Sequence, residues 1–178
     1  RSGPPQLLRP AAPPQLKRKV VRQRFLPRCR MPKLDTRLES QGAEFLVLGA
    51  LLLERIPTYK NYTNMPGYDL VATNAERHRS ARIQVKSRWG TGTSTFPIKS
   101  FDCDFIVFAR LNRGNKVGTA AVRDPEFFVF PVHMLRALPR SKGWGKIAVT
   151  GVKNWKTYKS RWDLIRAFLA GKEASSSR

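Results

Sequence analysis

The spacing of apolar residues predicts one long helix near the start of the folded part of the chain. Apolar side chains recur at helical intervals between Asp35 and Ile56, and Pro57 then interrupts the pattern. The side chains expected on the buried side are those of Leu38, Phe45, Leu48, Leu51 and Leu52. Glu44 falls between Leu48 and Leu51 in a helical projection, which predicts a carboxylate on the side that packs against a sheet. Such a carboxylate needs a compensating cation or a proton, unless the helix register differs.

Segments rich in β-branched and aromatic residues predict strands after this helix. The first three segments cover residues 58–62, 68–73 and 80–89. Two continuous apolar runs follow at 104–111 and 127–130, and such runs are typical of central strands that are covered on both faces.

The end of the chain is predicted to return to helix. Pro131 is suited to open a short helix that extends to Leu138, and residues 147–150 are interpreted as one more strand. Residues 158–169 are predicted to close the chain as a helix that buries Trp162 on one side. The pattern as a whole, α1-β-β-β-β-α in its core, predicts an α/β domain with a mixed central sheet flanked by helices.

Composition divides the chain at about residue 33. Residues 1–33 hold ten Lys or Arg, seven of the 13 prolines and no acid, which predicts a disordered basic arm before a domain at 34–178. Three interpretations of the arm stay open: a leader that precedes a true start at Met31, an organelle transit peptide, and a segment that grips DNA.

The charge of the chain indicates a polyanionic partner. The 34 basic residues exceed the 12 acidic ones by 22, and the excess persists in residues 34–178. The longest apolar run, 45–53, is far shorter than the roughly 20 residues that span a bilayer, so no membrane association is expected. Cys29 and Cys103 form neither a disulfide framework nor a metal-spaced cluster, which favours a reducing, cytoplasmic location, nucleoid-associated in a bacterium; import into an organelle is the alternative.

Four polar residues are predicted to meet in one pocket. The segment that contains Gln84 and Lys86 alternates, so both side chains emerge on one face. If residues 74–79 connect the two strands, Asp69 comes opposite Gln84 and shares that face. We expect the helix that bears Glu44 to pack against the same face, although a one-residue slip in pairing would separate these groups.

Oxygen ligands of this type suit Mg²⁺, which binds one or two protein carboxylates and keeps several waters. A cation held by two carboxylates and an amide would polarise a phosphodiester and acidify the attacking water, while Lys86 orients the water or offsets charge on phosphorus. The residues therefore predict hydrolytic nuclease chemistry.

Glu44 in the helix, Gly67-Tyr68-Asp69-Leu70 on one strand and Gln84-Val85-Lys86 on the next resemble the PD-(D/E)XK nuclease superfamily. The pattern is similar to archaeal Holliday-junction resolvases and, more closely, to an intron homing endonuclease with glutamine before X-Lys. The resemblance covers roughly residues 38–111 and implies a restriction-endonuclease-like core. It implies metal binding by Glu44, Asp69 and Gln84, and catalytic roles for all three and for Lys86.

The function implied by this resemblance is that of a Mg²⁺-dependent DNA endonuclease of homing or restriction type, with Mn²⁺ as a substitute and no small-molecule cofactor. A homodimer is compatible with it, because a twofold pair presents two sites to a duplex. Gln84 departs from the usual Asp or Glu and leaves one charge less for the cation. The alternatives are therefore a Holliday-junction resolvase-like nuclease and a catalytically inactive nucleic-acid-binding protein of the same fold.

Basic and aromatic residues near strand ends and in the C-terminal third are candidates for nucleic-acid contact. Cations suit phosphates, and an accompanying ring can stack on a base; ordinary solvated surface is the alternative interpretation. The candidates are Arg88, Trp89, Lys99, Arg113, Lys116, Lys142, Lys146, Lys153 and Lys156. Arg110 is considered with them as a phosphate ligand, and most of the C-terminal rings are expected to serve packing.

Overall fold

The first helix, α1, spans Thr36–Leu53 in a computed structural model that describes residues 36–62, 67–115 and 118–172. The helix ends before Ile56 because Arg55 adopts a left-handed backbone with φ 57°. The N–H groups of Arg55 and Ile56 then donate to the carbonyls of Leu52 and Leu51, both at 2.9 Å. The basic arm at 1–33 lies outside the described residues, as do Cys29 and Lys116.

The buried side of α1 differs from the predicted one. Ala43, Val47 and Leu51 are fully buried against the sheet, whereas Leu38 and Phe45 are exposed to solvent. The helix is apolar around most of its circumference, so the spacing of large residues does not distinguish its two sides. Small side chains let the helix approach the sheet closely, which is why alanine and valine occupy the contact.

The strands form a five-stranded sheet and a separate two-stranded one. Their bounds are β1 Thr58–Lys60, β2 Leu70–Asn74, β3 Arg79–Arg88, β4 Thr95–Pro97, β5 Phe105–Arg110, β6 Glu126–Pro131 and β7 Lys146–Ala148. The large sheet has the order β1-β2-β3-β5-β6, with β3 and β5 parallel and the other pairs antiparallel. Strands β4 and β7 pair antiparallel in the small sheet.

The two apolar runs have different positions in the sheet. All six residues of β5 are buried between β3 and β6, which confirms that strand as central. The same prediction is wrong for β6, which lies at the edge of the sheet. Its apolar residues are explained by packing on both faces, with Val129 in one core cluster and Phe128 and Phe130 in the other. Strand β4 was not predicted, because three residues carry too little alternation to be recognised.

Two layers cover the large sheet. On one face, α1 and the closing helix α3, Trp162–Leu169, contribute to a cluster with Ile83 and Val85 of β3. On the other face, the short helix α2, Val132–Arg136, and the small sheet contribute to a second cluster with Ile106 and Phe108 of β5. The closing helix begins later than predicted because Tyr158 ends a 3-10 turn and Ser160 adopts a left-handed backbone with φ 51°. None of the helices in the described ranges is long and apolar enough to cross a bilayer.

Candidate active site

Strands β2 and β3 separate where the predicted site begins. Their register matches the predicted hairpin, with Thr73 opposite Ser80, and continues to Leu70 opposite Ile83. The next bond departs from this register, because the N–H of Asp69 donates to the carbonyl of Ile83 at 2.9 Å. The Asp69 carboxylate then accepts a hydrogen bond from the N–H of Val85 at 2.7 Å. Beyond Leu70, β2 no longer pairs with β3, and the Asp69 carboxylate bonds to β3 instead. One carboxylate is thus held at the gap where the two strands separate.

The turn before Asp69 depends on a glycine. Gly67 has φ +113°, and a Cβ added there would lie 2.7 Å from the backbone oxygen of Asp102. Any other residue would be strained in conformation and would also collide with this backbone. The Gly-Tyr-Asp order is therefore a local condition for the position of Asp69.

Gln84 and Lys86 lie on the face of β3 opposite to the one that packs under α1. In the parallel pairing with β5 they lie opposite Ile106 and Phe108, whereas Ile83 and Val85 pack under α1. The prediction that the helix packs against the face of Gln84 and Lys86 is therefore wrong, although the charge of Glu44 still acts on Lys86. The apolar residues of β3 contact the helix, and alternation along the strand places the polar ones on the opposite face.

The side-chain amide of Gln84 is buried, and its oxygen accepts no hydrogen bond from the described residues. The residue is only 6% exposed, and its Oε1 has no hydrogen-bond partner within the described part of the chain. A buried, unbonded carbonyl oxygen costs roughly 1–3 kcal/mol, so such groups require an explanation. An oxygen that awaits a cation is one such explanation, and its neighbours Asp69 and Lys86 favour it.

Lys86 extends into a cavity of about 230 Å³ that is lined by residues of α1, β3 and β4 and by Lys99. Burial lowers the pKa of Lys86, and the charge of Lys99 acts in the same direction, while the carboxylates of Asp69 and Glu44 partly oppose the shift. The nearby Cys103 thiol has its pKa raised to about 11 by burial and is protonated at neutral pH. The ammonium of Lys86 is thus held in a poorly hydrated place between groups of both signs.

Glu44 forms an ion pair with Lys60. The two side chains are 17% and 10% exposed respectively, so both charges are largely withdrawn from water. Lys60 lies on β1 opposite Leu70, the residue that follows Asp69, and the N–H of Asn61 donates to the Asp69 carbonyl at 2.9 Å. The sequence predicted that Glu44 needs a compensating cation, and Lys60 is a cation that meets this need.

Lys60 was missed at the level of sequence. It lies in a three-residue strand at the edge of the sheet, where a lysine is ordinary, and its partner is 16 residues away. The signal was indirect: a buried carboxylate implied a positive partner, and Lys60 follows on the first strand after the helix. Glu39 was missed as well; its carboxylate accepts a hydrogen bond from the Ser87 hydroxyl at 3.2 Å beside the Lys86 cavity.

The residues present are compatible with a divalent cation of the magnesium type. Among residues 36–62, 67–115 and 118–172, no three His, Cys, Asp or Glu side chains gather as a metal cluster. The oxygen donors available are instead the carboxylate of Asp69 and the amide oxygen of Gln84. The carboxylate of Glu44, which is also paired with Lys60, is a third. These are hard oxygen donors, and Mg²⁺ completes a set of one or two protein carboxylates with water.

Part of the candidate nucleic-acid surface adjoins the cavity. Lys99 lines it and is exposed, and Lys146 of β7 pairs with Pro97 of β4, two residues before Lys99. Trp144 is strongly exposed, and the Lys146 ammonium lies 5.6 Å from its ring centre. The remaining candidate lysines of the C-terminal third, Lys142, Lys153 and Lys156, are exposed as well. The small sheet thus carries cations and one free ring from the cavity outwards.

Other candidate basic residues have structural contacts. Arg88 donates to the Thr95 carbonyl at 2.8 Å and so ties β3 to β4, while still lining the cavity. Arg110 is buried in an ion pair with Glu126, and its guanidinium lies 5.3 and 5.4 Å from the ring centres of Phe128 and Trp155, so its predicted role as a phosphate ligand is wrong. Trp89 and Arg113 line a second, apolar groove of about 530 Å³ beside α1.

Replacement of Lys86 by methionine is expected to preserve or raise stability at neutral pH. The lowered pKa means that the folded state disfavours the charged amine, at a cost that is complete below this pKa. The cost disappears as the pH rises towards the ordinary lysine value of 10.5, because the amine is then neutral in both states. Denaturant unfolding of both proteins across this interval should show the advantage of Lys86→Met shrink as pH rises; an advantage that grows with pH would contradict it.

Two solved structures that are similar to this chain are those of nucleases. The bacterial homing endonuclease I-Ssp6803I is 20% identical, with a TM-score of 0.55, and the match covers 81% of this chain and 100% of that one. Hjc, a Holliday junction resolvase from Archaeoglobus fulgidus, is 18% identical, with a TM-score of 0.40, and the match covers 64% and 87%. The first similarity confirms the restriction-endonuclease-like α/β fold predicted from the sequence.

Comparison at the level of sequence identifies no relative. No protein-family model matches the chain, and no curated protein matches it significantly. What the site does must therefore be argued from its own residues.

Proposed function

We propose that this chain, which has the PD-(D/E)XK nuclease fold, is a Mg²⁺-dependent endonuclease that hydrolyses phosphodiester bonds of DNA. The fold alone does not establish an activity, because one fold supports several functions. The proposal rests on the side chains at the gap between β2 and β3 and on the charge around them.

The observation that carries the proposal is the unbonded oxygen of Gln84. A buried amide next to an aspartate and a lysine would ordinarily bond to one of its neighbours, yet its Oε1 has no partner among the described residues. The Asp69 carboxylate is held in place by the N–H of Val85. A divalent cation bound by both oxygens would satisfy the amide and offset the carboxylate.

Each side chain has a distinct proposed role. A bound divalent cation would supply Lewis-acid chemistry for phosphodiester hydrolysis. Asp69 and Gln84 would hold this cation, and Glu44 of α1, which pairs with Lys60, would be the second carboxylate ligand. Lys86 presents its ammonium to the scissile phosphate, where it stabilises the negative charge of the transition state and orients the attacking water. Burial strengthens this interaction because little solvent competes for the ammonium.

The basic surface beside the cavity is proposed to bind the DNA backbone. Lys99, Lys146 and their neighbours carry cations from the cavity along the small sheet, and ion pairs do not neutralise them in the described ranges. Phosphate contacts of this type position a duplex without reading its sequence. Trp144, which is exposed beside Lys146, is suited to stack on an unpaired or distorted base.

A digestion panel tests the proposal. Purified protein is incubated with supercoiled plasmid, linear duplex, four-way junction and single-stranded DNA in Mg²⁺, Mn²⁺, Ca²⁺ or EDTA. We expect nicking or cutting of duplex DNA in Mg²⁺ and Mn²⁺ and none in EDTA. Cleavage confined to the junction would favour the resolvase alternative. Salt-dependent binding without cleavage under any condition would favour an inactive binding protein, for which the neutral amide at Gln84 is the specific reason.

Gln84→Glu is expected to increase affinity for Mg²⁺ by about tenfold, because a carboxylate binds this cation more strongly than an amide. The same change should lower the melting temperature in EDTA, since it adds an unpaired buried charge. Calorimetric titration with Mg²⁺ and thermal unfolding with and without the cation measure both effects. Loss of Mg²⁺ binding in this variant would contradict the assignment of Gln84 as a ligand.

A further inference from the structure

The solvent side of α1 is a mainly apolar surface, although the Lys60 ammonium lies 5.1 Å from the ring centre of Phe45 at its border. Five large side chains on this helix are between 46% and 87% exposed, although apolar residues of this size normally pack inside a domain. They are Leu38, Phe45, Leu46, Leu52 and Leu53. With Gln41, Gly42 and Gly49, they occupy the side of the helix opposite the buried residues Ala43, Val47 and Leu51. In a chain of net charge +22, this side of the helix has no charged residue of its own.

The spacing on this surface is that of a helix-packing surface. Leu38, Phe45 and Leu52 recur every seven residues, and Gly42 and Gly49 repeat at the same interval between them. A Cβ added at either glycine would meet nothing within 4 Å. The glycines therefore do not serve packing within the described part of the chain, and they leave depressions between the large side chains.

Most residues of this surface are placed symmetrically about the middle of the helix, and Leu52 is the exception, because Glu39 occupies the equivalent position. Phe45 and Leu46 lie at the centre, the two glycines lie at equal distances from it, and Leu38 and Leu53 end the pattern at equal distances. A surface with this symmetry is complementary to itself when a second helix runs in the opposite direction. This is the condition for an interface with a twofold axis, in which the same surface of both subunits takes part.

We infer that α1 is the interface of a homodimer, in which two copies of this helix pack antiparallel about a twofold axis between Phe45 and Leu46. In this arrangement Gly42 of one copy lies against Gly49 of its partner, and Leu38 lies against Leu53. The inference concerns a surface other than the proposed active site and does not depend on the proposed function.

The available area is sufficient for a dimer. The exposed fractions of the five large residues add up to about three complete side chains, or roughly 600 Å² of apolar surface on each copy. Two copies together would bury roughly 1,200 Å², at the lower end of the range for stable specific interfaces. Trp89 and Pro125, which line the apolar groove beside Leu38 and Leu46, extend this surface. Because the copies are strongly positive, a neutral contact is the one that avoids their repulsion.

Cysteine cross-linking tests the geometry. In a Cys29→Ser background of the full chain, Gly42→Cys and Gly49→Cys proteins are oxidised separately and after mixing; Cys103 stays, because it is buried. We expect a disulfide-linked dimer in the mixture. Neither protein alone should form one, because two copies of position 42 lie roughly 10 Å apart along the helices, beyond the reach of a disulfide. Ala148→Cys, exposed on β7, is the matched control.

Molecular mass measured by sedimentation over a range of concentrations tests the dimer itself. We expect the native chain to be dimeric. Leu46→Lys should raise the dissociation constant of the dimer at least a hundredfold. Val122→Lys, a change at another exposed apolar position, should leave this constant at the native value. A native chain that stays monomeric throughout overturns the inference. Efficient cross-linking of either cysteine variant alone overturns the antiparallel arrangement. Cleavage is not part of either measurement, so the proposed function and this inference can fail separately.

Discussion

Lys86→Met is expected to lower the rate of DNA cleavage by about a thousandfold, which is in the range observed when one transition-state contact is removed. Methionine preserves the length and apolar body of the side chain but cannot hold positive charge at the scissile phosphate. Burial of the chain around Lys86 means that no bulk solvent cation replaces it readily. Single-turnover cleavage of a labelled duplex in Mg²⁺ measures the loss.

Two controls separate this effect from weakened DNA binding. Lys153→Met removes an exposed lysine of the same charge. We expect this variant to bind DNA with a smaller salt dependence. Its single-turnover rate at saturating protein should change little. The dissociation constant of Lys86→Met should stay within about threefold of the native value in Ca²⁺, because the other cations of the surface persist. A variant that cleaves at more than a tenth of the native rate would contradict the role assigned to Lys86.

Lys60→Met is expected to destabilise the metal-free protein by about 3 kcal/mol, because removal of one partner leaves the other charge buried without compensation. The ion pair between Lys60 and Glu44 is largely shielded from water, and the pair joins α1 to the edge of the sheet. Mg²⁺ should restore part of this stability, since a bound cation compensates Glu44 in place of the ammonium. Denaturant unfolding in EDTA and in Mg²⁺ measures both quantities.

The matched control for this prediction removes both charges. Lys60→Met combined with Glu44→Gln should be closer to the native stability than Lys60→Met alone, and Mg²⁺ should stabilise the double variant less. An equal gain from Mg²⁺ in the native protein and in Lys60→Met would show that Glu44 does not contribute to the metal site. Unchanged stability of Lys60→Met in EDTA would contradict the structural importance of the pair itself.

The pairing of β2 with β3 illustrates what could be predicted. A polar connection of six residues between two alternating segments defines a hairpin, and the register with Thr73 opposite Ser80 follows from counting residues on each side. The same count places Asp69 close to Gln84 and Lys86. The shift at Asp69, whose N–H bonds to Ile83 while its carboxylate bonds to Val85, could not be predicted, because β2 and β3 separate there.

The first helix illustrates the opposite case. Its existence and length followed from apolar spacing and from Pro57, but its buried side did not, because large apolar residues occur on nearly every side of it. The helix therefore exposes Leu38 and Phe45, which were expected inside. The same ambiguity concealed the symmetric surface that we interpret as a dimer interface.

The sequence by itself determined the α/β class, the strands that carry the site, and the identity of Asp69, Gln84 and Lys86 as neighbours, because these depend on alternation and on contacts close along the chain. Only the tertiary structure decided that α1 packs on the face away from Gln84 and that Lys60 is the partner of Glu44. Both depend on how a helix is placed over a sheet. That placement is set by the balance of burial over many residues rather than by any local pattern.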